Sequence, residues 1–272
     1  MAASHHPLAA DLSGKIALIT AGANGIGAGA AMALAAMGAD IVIGDIDVPN
    51  AERVVRDIEQ LGRHAAFQPA DMMQIDQARR LTRYTLDRFG RIDILVNNAG
   101  GVRPRPFAEQ TQANWQRVID LNLVSMLAVT QEASLAMEAN GAIVNVASTE
   151  ALRAAPGFSV YAACKAAMVE FTKTMALELA PRGIRVNAIA PDLIDTPGLR
   201  PHMPTEPDRI AIRNRHVPLG RMASIAEAGA VIAFLASPAS SFVTGVTIPV
   251  DGGISAAGGW HRGEQGNWQL TP

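Results

Sequence analysis

The chain has 272 residues, 49% of them apolar and 18% charged, with a formal net charge of −2. That balance excludes a disordered chain and leaves no field for nucleic acid or an anionic membrane surface. The one cysteine, Cys164, excludes internal disulfides and a cysteine-built metal cage, and the six histidines show no metal-ligand spacing, so no metal is expected.

Apolar β-rich runs alternate with helical segments along the whole chain. Strands are expected at 15–20, 40–44, 64–68, 92–97, 142–147, 185–190 and 247–251. Helices are expected at 25–37, 50–61, 75–89, 111–137, 159–180 and 224–235. Runs such as Ile41-Val42-Ile43 and Ile94-Leu95-Val96 are apolar throughout, as in a sheet buried on both faces. The alternation predicts an α/β chain with a doubly wound parallel sheet of about seven strands and helices on both faces. With no composition break, residues 1–272 read as a single domain. Pro-rich 192–221 reads as a lid insertion, and the Gly-rich tail 254–272 as irregular. Residues 1–14 lack a basic region followed by an apolar core, so no signal peptide is expected. The Ala-rich stretch 25–44 is too interrupted to span a membrane, and a cytoplasmic protein is the default.

Three features carry chemistry. After the first strand comes T20-A-G22-A-N-G25-I-G27, opening a helix. Glycines there let backbone approach a diphosphate, and the helix N-terminus supplies donors and partial positive charge. The second strand ends at Asp45, whose carboxylate suits ribose hydroxyls and would repel a 2′-phosphate, favouring NAD over NADP. Further along, Tyr161 and Lys165 lie four residues apart on one helical face, with Ser148 upstream. A nearby ammonium draws a phenol toward the working range, so this set is read as moving a proton on and off a carbinol or carbonyl oxygen. The chain holds only two tyrosines and three lysines, so composition alone does not predict the pair.

The motifs together resemble the short-chain dehydrogenase/reductase family, over roughly residues 12–254. The resemblance rests on the glycine-rich turn, N97-N-A-G100, Asn122 in D-L-N-L, Ser148 in N-V-A-S, Y161-A-A-C-K165, A190-P191 and V250-D-G-G253. It implies a Rossmann-type fold and a tetrad of Asn122, Ser148, Tyr161 and Lys165. In that tetrad Tyr161 is the acid/base and Ser148 holds the substrate oxygen. Lys165 lowers the tyrosine pKa and binds the nicotinamide ribose, while Asn122 holds a water through a local helix distortion. It further implies cofactor contacts from Gly22, Asn24, Gly25, Ile26, Gly27, Asp45 and Ile46. Asp71 and Met72 would flank the adenine, and Asn98, Ala99 and Gly100 would line the adenosine and diphosphate. Pro191, Ile194 and Thr196 would close over the nicotinamide. Homotetramers are common in the family, paired here through 111–137 and 159–180.

Two positions depart from the family pattern: Ala21 stands where Gly is usual after the threonine, and Asp192 replaces the Gly after Pro191. The substrate is a small-molecule secondary alcohol or ketone, with an anionic group as one possibility. Arg153, near Ser148, is the leading anion-binding candidate, alongside the lid arginines, Arg103 and Arg105; His202 is a further substrate contact. Trp260 and Trp268 suggest a tail that packs on a neighbouring subunit, against the alternative of a loosely ordered end. Two other functions stay open: an NADPH-dependent 3-oxoacyl-thioester reductase and a non-catalytic nucleotide-binding protein. Asp45 argues against the first, and the complete tetrad against the second.

Overall fold

A computed structural model describes residues 10–270. Seven strands form one sheet: β1 (Ile16–Thr20), β2 (Asp40–Asp45), β3 (Ala65–Pro69), β4 (Ile94–Asn97), β5 (Ala142–Val146), β6 (Arg185–Pro191) and β7 (Thr247–Val250). Their order is β3-β2-β1-β4-β5-β6-β7 and every pairing is parallel. The sheet is Rossmann-like, with its switch of direction between β1 and β4, where a crevice opens beyond the strand ends.

The helices are α1 (Gly25–Ala36), α2 (Val48–Gln60), α3 (Ile75–Phe89), α4 (Gln112–Ile119), α5 (Ser125–Ala136), α6 (Ser159–Leu179), α7 (Pro207–His216), α8 (Ile225–Ala236) and the short α9 (Ile254–Ala257). One core cluster joins Leu34 of α1, Ile58 of α2 and Ile232 of α8 to Ile41 and Val144 of the sheet. A second joins Leu81 of α3 and Val129 of α5 to Leu95 and Ile143 on the opposite face. Burial on both faces explains why these strands carry no polar alternation. Helices α1 and α8 approach so closely that a Cβ on Gly29 would lie 2.3 Å from the Ile225 carbonyl oxygen. One on Gly229 would lie 2.3 Å from that of Gly29.

The expected helix 111–137 is broken. A π turn, Asp120–Val124, separates α4 from α5. Its irregular backbone is satisfied locally: Asn122 Nδ2 donates to the Val118 carbonyl at 2.9 Å and Ser125 Oγ to that of Leu121 at 2.6 Å.

The lid contains a helix that was not anticipated, α7, and the tail is ordered where irregular chain was expected. Two short strands, β8 (His261–Arg262) and β9 (Trp268–Gln269), pair antiparallel. This hairpin packs on the lid of its own chain. His261 meets His216 with ring centroids 5.2 Å apart, Arg215 pairs with Glu264 at 3.6 Å, and Arg262 lies over the Trp268 ring at 5.8 Å. Among the described residues no helix is long and apolar enough to cross a membrane.

Candidate active site

The crevice at the β1/β4 switch is built from main chain. Thr20 Oγ1 accepts from the amides of Asn98 and Ala99 at 2.9 and 3.0 Å, which ties the N-N-A-G segment to the end of β1. Asn98 Nδ2 donates to the Ala21 carbonyl at 2.8 Å. Over this frame passes Gly27, where a Cβ would lie 2.3 Å from the Ala21 oxygen and 2.5 Å from Asn98 Nδ2. Only glycine fits, so α1 packs directly against the end of β1 and the N-N-A-G segment. Ala21 adopts φ +52°, the left-handed region glycine would occupy without strain. Asp192, the other departure, carries no positive φ and so no such strain.

Asp45 sits at the end of β2. One oxygen accepts from the Ala23 amide at 2.9 Å and the other from Asp47 at 3.0 Å, so its carboxylate is fixed beside the glycine-rich turn. Asn24 donates instead to Asp47, at 2.8 Å. Ile46, which follows Asp45 at the end of β2, is 73% exposed. Met72 is 5% exposed and packed in the core. Asp71 takes the Met73 amide at 2.9 Å. Ile194 is buried and bridges to Ala223, and Thr196 comes within 3.3 Å of a Cβ placed on Gly25. Thr196, at the start of the segment 192–221, therefore lies against Gly25 of the glycine-rich turn.

Asn122, Ser148, Tyr161 and Lys165 are brought together at the same end of the sheet. Asn122 is fully buried in the π turn. Its Oδ1 accepts from the Gly101 amide at 3.0 Å and its Nδ2 donates to the Gly101 carbonyl at 2.9 Å. A Cβ on Gly100 would lie 2.8 Å from Asn122 Oδ1 and 3.0 Å from Lys165 Nζ, which places these two polar groups around one small space. Lys165 is 2% exposed and donates to the Val146 carbonyl at 2.7 Å. Burial draws its pKa down to about 8. Tyr161 is pushed up to about 12, chiefly by burial and further by the Glu150 charge, with the neighbouring Ser148 hydroxyl opposing. The Lys165 ammonium is thus opposed at the phenol by burial and by the Glu150 carboxylate.

Arg153 is engaged by two carboxylates of its own chain. It donates to Asp192 at 2.6 Å and pairs with Glu150 at 3.4 Å. Thr149 Oγ1 also donates to Asp192, at 2.8 Å. Several lid arginines are likewise engaged, Arg200 with Asp195 and Arg221 with Glu227, both at 2.7 Å. His202 lines a separate groove with Met203 and Arg213, away from Tyr161. Tyr161 instead opens on a cleft of about 690 Å³, whose lining includes Arg103, Arg105 and Arg117. None of these three forms an ion pair among the described residues. Glu150 was missed by the sequence reading. Its signal was the S148-T-E150 spacing, which sets a carboxylate two residues from the key hydroxyl.

A family model described as Enoyl-(Acyl carrier protein) reductase matches residues 20–255. The chain is 39% identical over 245 residues to 3-oxoacyl-(acyl-carrier-protein) reductase of Thermotoga maritima, covering 89% of this chain and 98% of that relative. It is also 39% identical over 245 residues to cis-4-hydroxycyclohexanecarboxylate dehydrogenase of Sinomonas cyclohexanicum, covering 89% and 97%. A crystal structure of a short chain dehydrogenase from Burkholderia cenocepacia in complex with NADP superposes with a TM-score of 0.84 at 33% identity, covering 90% and 99%.

Proposed function

The chain belongs to the short-chain dehydrogenase/reductase family of oxidoreductases, and from that premise we propose that it interconverts a secondary alcohol and its ketone with NAD(H). The observation carrying this reading is the convergence of Tyr161, Ser148, Lys165 and Asn122 beside the β1/β4 crevice.

The glycine-rich turn suits a dinucleotide, because it leads from β1 into the N-terminus of α1, where main-chain donors and partial positive charge meet a diphosphate. Gly22, Asn24, Gly25, Ile26 and Gly27 would hold that diphosphate, and Asp45 and Ile46 the adenosine. Asp71, the Met72 backbone, Asn98, Ala99 and Gly100 would line it further. Pro191, Ile194 and Thr196 would cover the nicotinamide. When bound, the nicotinamide accepts or gives the hydride. The chain handles the proton. Tyr161 Oη gives a proton to a ketone oxygen or takes one from an alcohol, and Ser148 Oγ holds the same oxygen in place. Lys165 supplies a buried positive charge near the phenol and a donor for the ribose, and Asn122 fixes the polar space around Lys165 Nζ.

Asp45 supports NAD because its carboxylate stands fixed where a 2′-phosphate would approach, and no Arg or Lys occupies Asn24, Gly44 or Ile46. One observation favours the alternative, an NADPH-dependent 3-oxoacyl-thioester reductase: the Thermotoga maritima relative is named for that reaction. Fluorescence titration with NADH and NADPH, on wild type and Asp45→Ala, separates them. Tighter NADH binding that the substitution weakens supports the ribose contact. NADPH preference, or indifference to the substitution, transfers the reading to the reductase.

An anionic group on the substrate is assigned to the cleft rim at Arg103, Arg105 and Arg117 rather than to Arg153. A homotetramer in the cytoplasm is the expected setting. The outer faces of α5 and α6 support such assembly, with Leu135 and Leu177 79% and 77% exposed.

A further inference from the structure

Ser148 does not stand alone: its hydroxyl donates to Glu150 Oε2, and the Glu150 amide donates back to Ser148 Oγ at 3.4 Å. Glu150 is itself held. It lies within the turn Thr149–Ala151, which Ser148 caps, and Arg153 bridges it to Asp192, which Thr149 fixes from the buried side. A carboxylate half-buried and clamped in this way has one free task, accepting the serine proton.

A hydroxyl has one proton and two lone pairs. Building on the proton-handling roles given above to Tyr161 and Ser148, we propose that Glu150 is a positioning residue that engages the Ser148 proton. While Glu150 holds that proton, Ser148 offers lone pairs to the phenol and to an alcohol O–H.

Two consequences follow for the chemistry. An alcohol O–H can donate to such a serine, whereas holding a ketone oxygen requires the serine proton to turn from Glu150 to that oxygen. A Tyr161 phenolate, in turn, must compete with a carboxylate for the single serine proton and also faces the Glu150 charge, so Glu150 resists ionisation of the phenol by two routes. The other charged groups around Tyr161 are Lys165 on its own helix, Arg153 in the turn after β5 and Asp192 after β6, with Asp251 after β7 beside Asp192. Arg103 and Arg105 after β4 and Arg117 on α4 complete the surroundings. Glu150→Gln leaves all of these in place. It removes the charge and substitutes a weaker acceptor, so a phenolate would win the serine proton.

The chain has two tyrosines, Tyr84 and Tyr161, so Tyr84→Phe leaves Tyr161 as the sole tyrosinate signal. We would titrate the ultraviolet tyrosinate absorbance of the Tyr84→Phe protein with and without Glu150→Gln. The same pair would then be titrated in a Ser148→Ala background. The expected result is a midpoint lowered by about one pH unit or more with Ser148 present, and a smaller shift without it. An unchanged midpoint, or an equal shift in both backgrounds, overturns the positioning role. The titration needs no turnover, so it stands apart from any failure of the proposed oxidoreductase activity. Where turnover is measured, the alkaline rise of alcohol oxidation should move down with Glu150→Gln by the same amount.

Discussion

Lys165 Nζ stands 5.7 Å from the centroid of the Tyr161 ring and donates to the carbonyl of Val146. The ammonium therefore faces the ring, while the Glu150 carboxylate and the low-dielectric surroundings act on the phenol. With Tyr161 held up to about 12, the phenol is protonated throughout the neutral range. Alcohol oxidation requires the phenolate, so its rate should climb as pH rises through the neutral and alkaline range. Ketone reduction uses the phenol and should stay flat there. Initial rates in both directions across a buffer series check this. An oxidation rate that falls as pH rises would contradict it.

A buried ammonium has a cost of its own. The folded pKa of Lys165 is lowered to about 8 from 10.5. Between those values the unfolded chain binds more protons, so this group's contribution to stability rises with pH across that window. Below it, the folded state carries a charged lysine in its interior. Lys165→Met should raise stability at neutral pH by roughly 1–3 kcal/mol while abolishing activity. The advantage over wild type should shrink between about pH 8 and 10.5. Urea unfolding at several pH values measures it. A variant less stable than wild type at neutral pH would refute the assignment of strain to this site.

At the glycine-rich turn two substitutions should act in opposite directions. Ala21 sits at φ +52°, which costs an L-residue roughly 1–2 kcal/mol. Ala21→Gly relieves that cost and gives back part of it as unfolded-chain entropy, so stability should rise by up to about 1 kcal/mol. Gly27→Ala would drive a Cβ into the Ala21 oxygen at 2.3 Å, and should weaken cofactor binding and destabilise the fold by about 1–3 kcal/mol. Denaturant titration and cofactor titration on the two variants test both signs.

The arginines of the cleft make a selective prediction. Arg105→Ala should lower kcat/KM for alcohols carrying a carboxylate by about tenfold relative to neutral alcohols of the same shape. Equal losses on both classes would remove the anion from the cleft rim.

The strands and the parallel, two-faced sheet were legible in the sequence because both depend on local rules. Runs such as Ile94-Leu95-Val96 are apolar on both faces, and Gly27 lies where a strand passes into a helix. The break at Asn122 was not legible from periodicity, because D-L-N-L reads as ordinary helix, and only the family resemblance implied a local distortion there. Arg153 misled for a related reason. A guanidinium near Ser148 suits an anionic ligand equally well on paper, and its partner Asp192 is 39 residues away in the chain. The tail hairpin depends on contacts with α7, in a segment whose own periodicity is too short to declare a strand.

The account turns on Tyr161 as the group that moves the proton. Its most direct measurement is cofactor reduction with a panel of secondary alcohols, using wild type and Tyr161→Phe side by side with NADH titrations of both proteins. The structure predicts turnover by wild type, a loss of at least about a thousandfold in the variant, and NADH affinity within a few-fold. A variant that oxidises alcohols at wild-type rate would contradict the role of Tyr161, whatever the identity of the substrate.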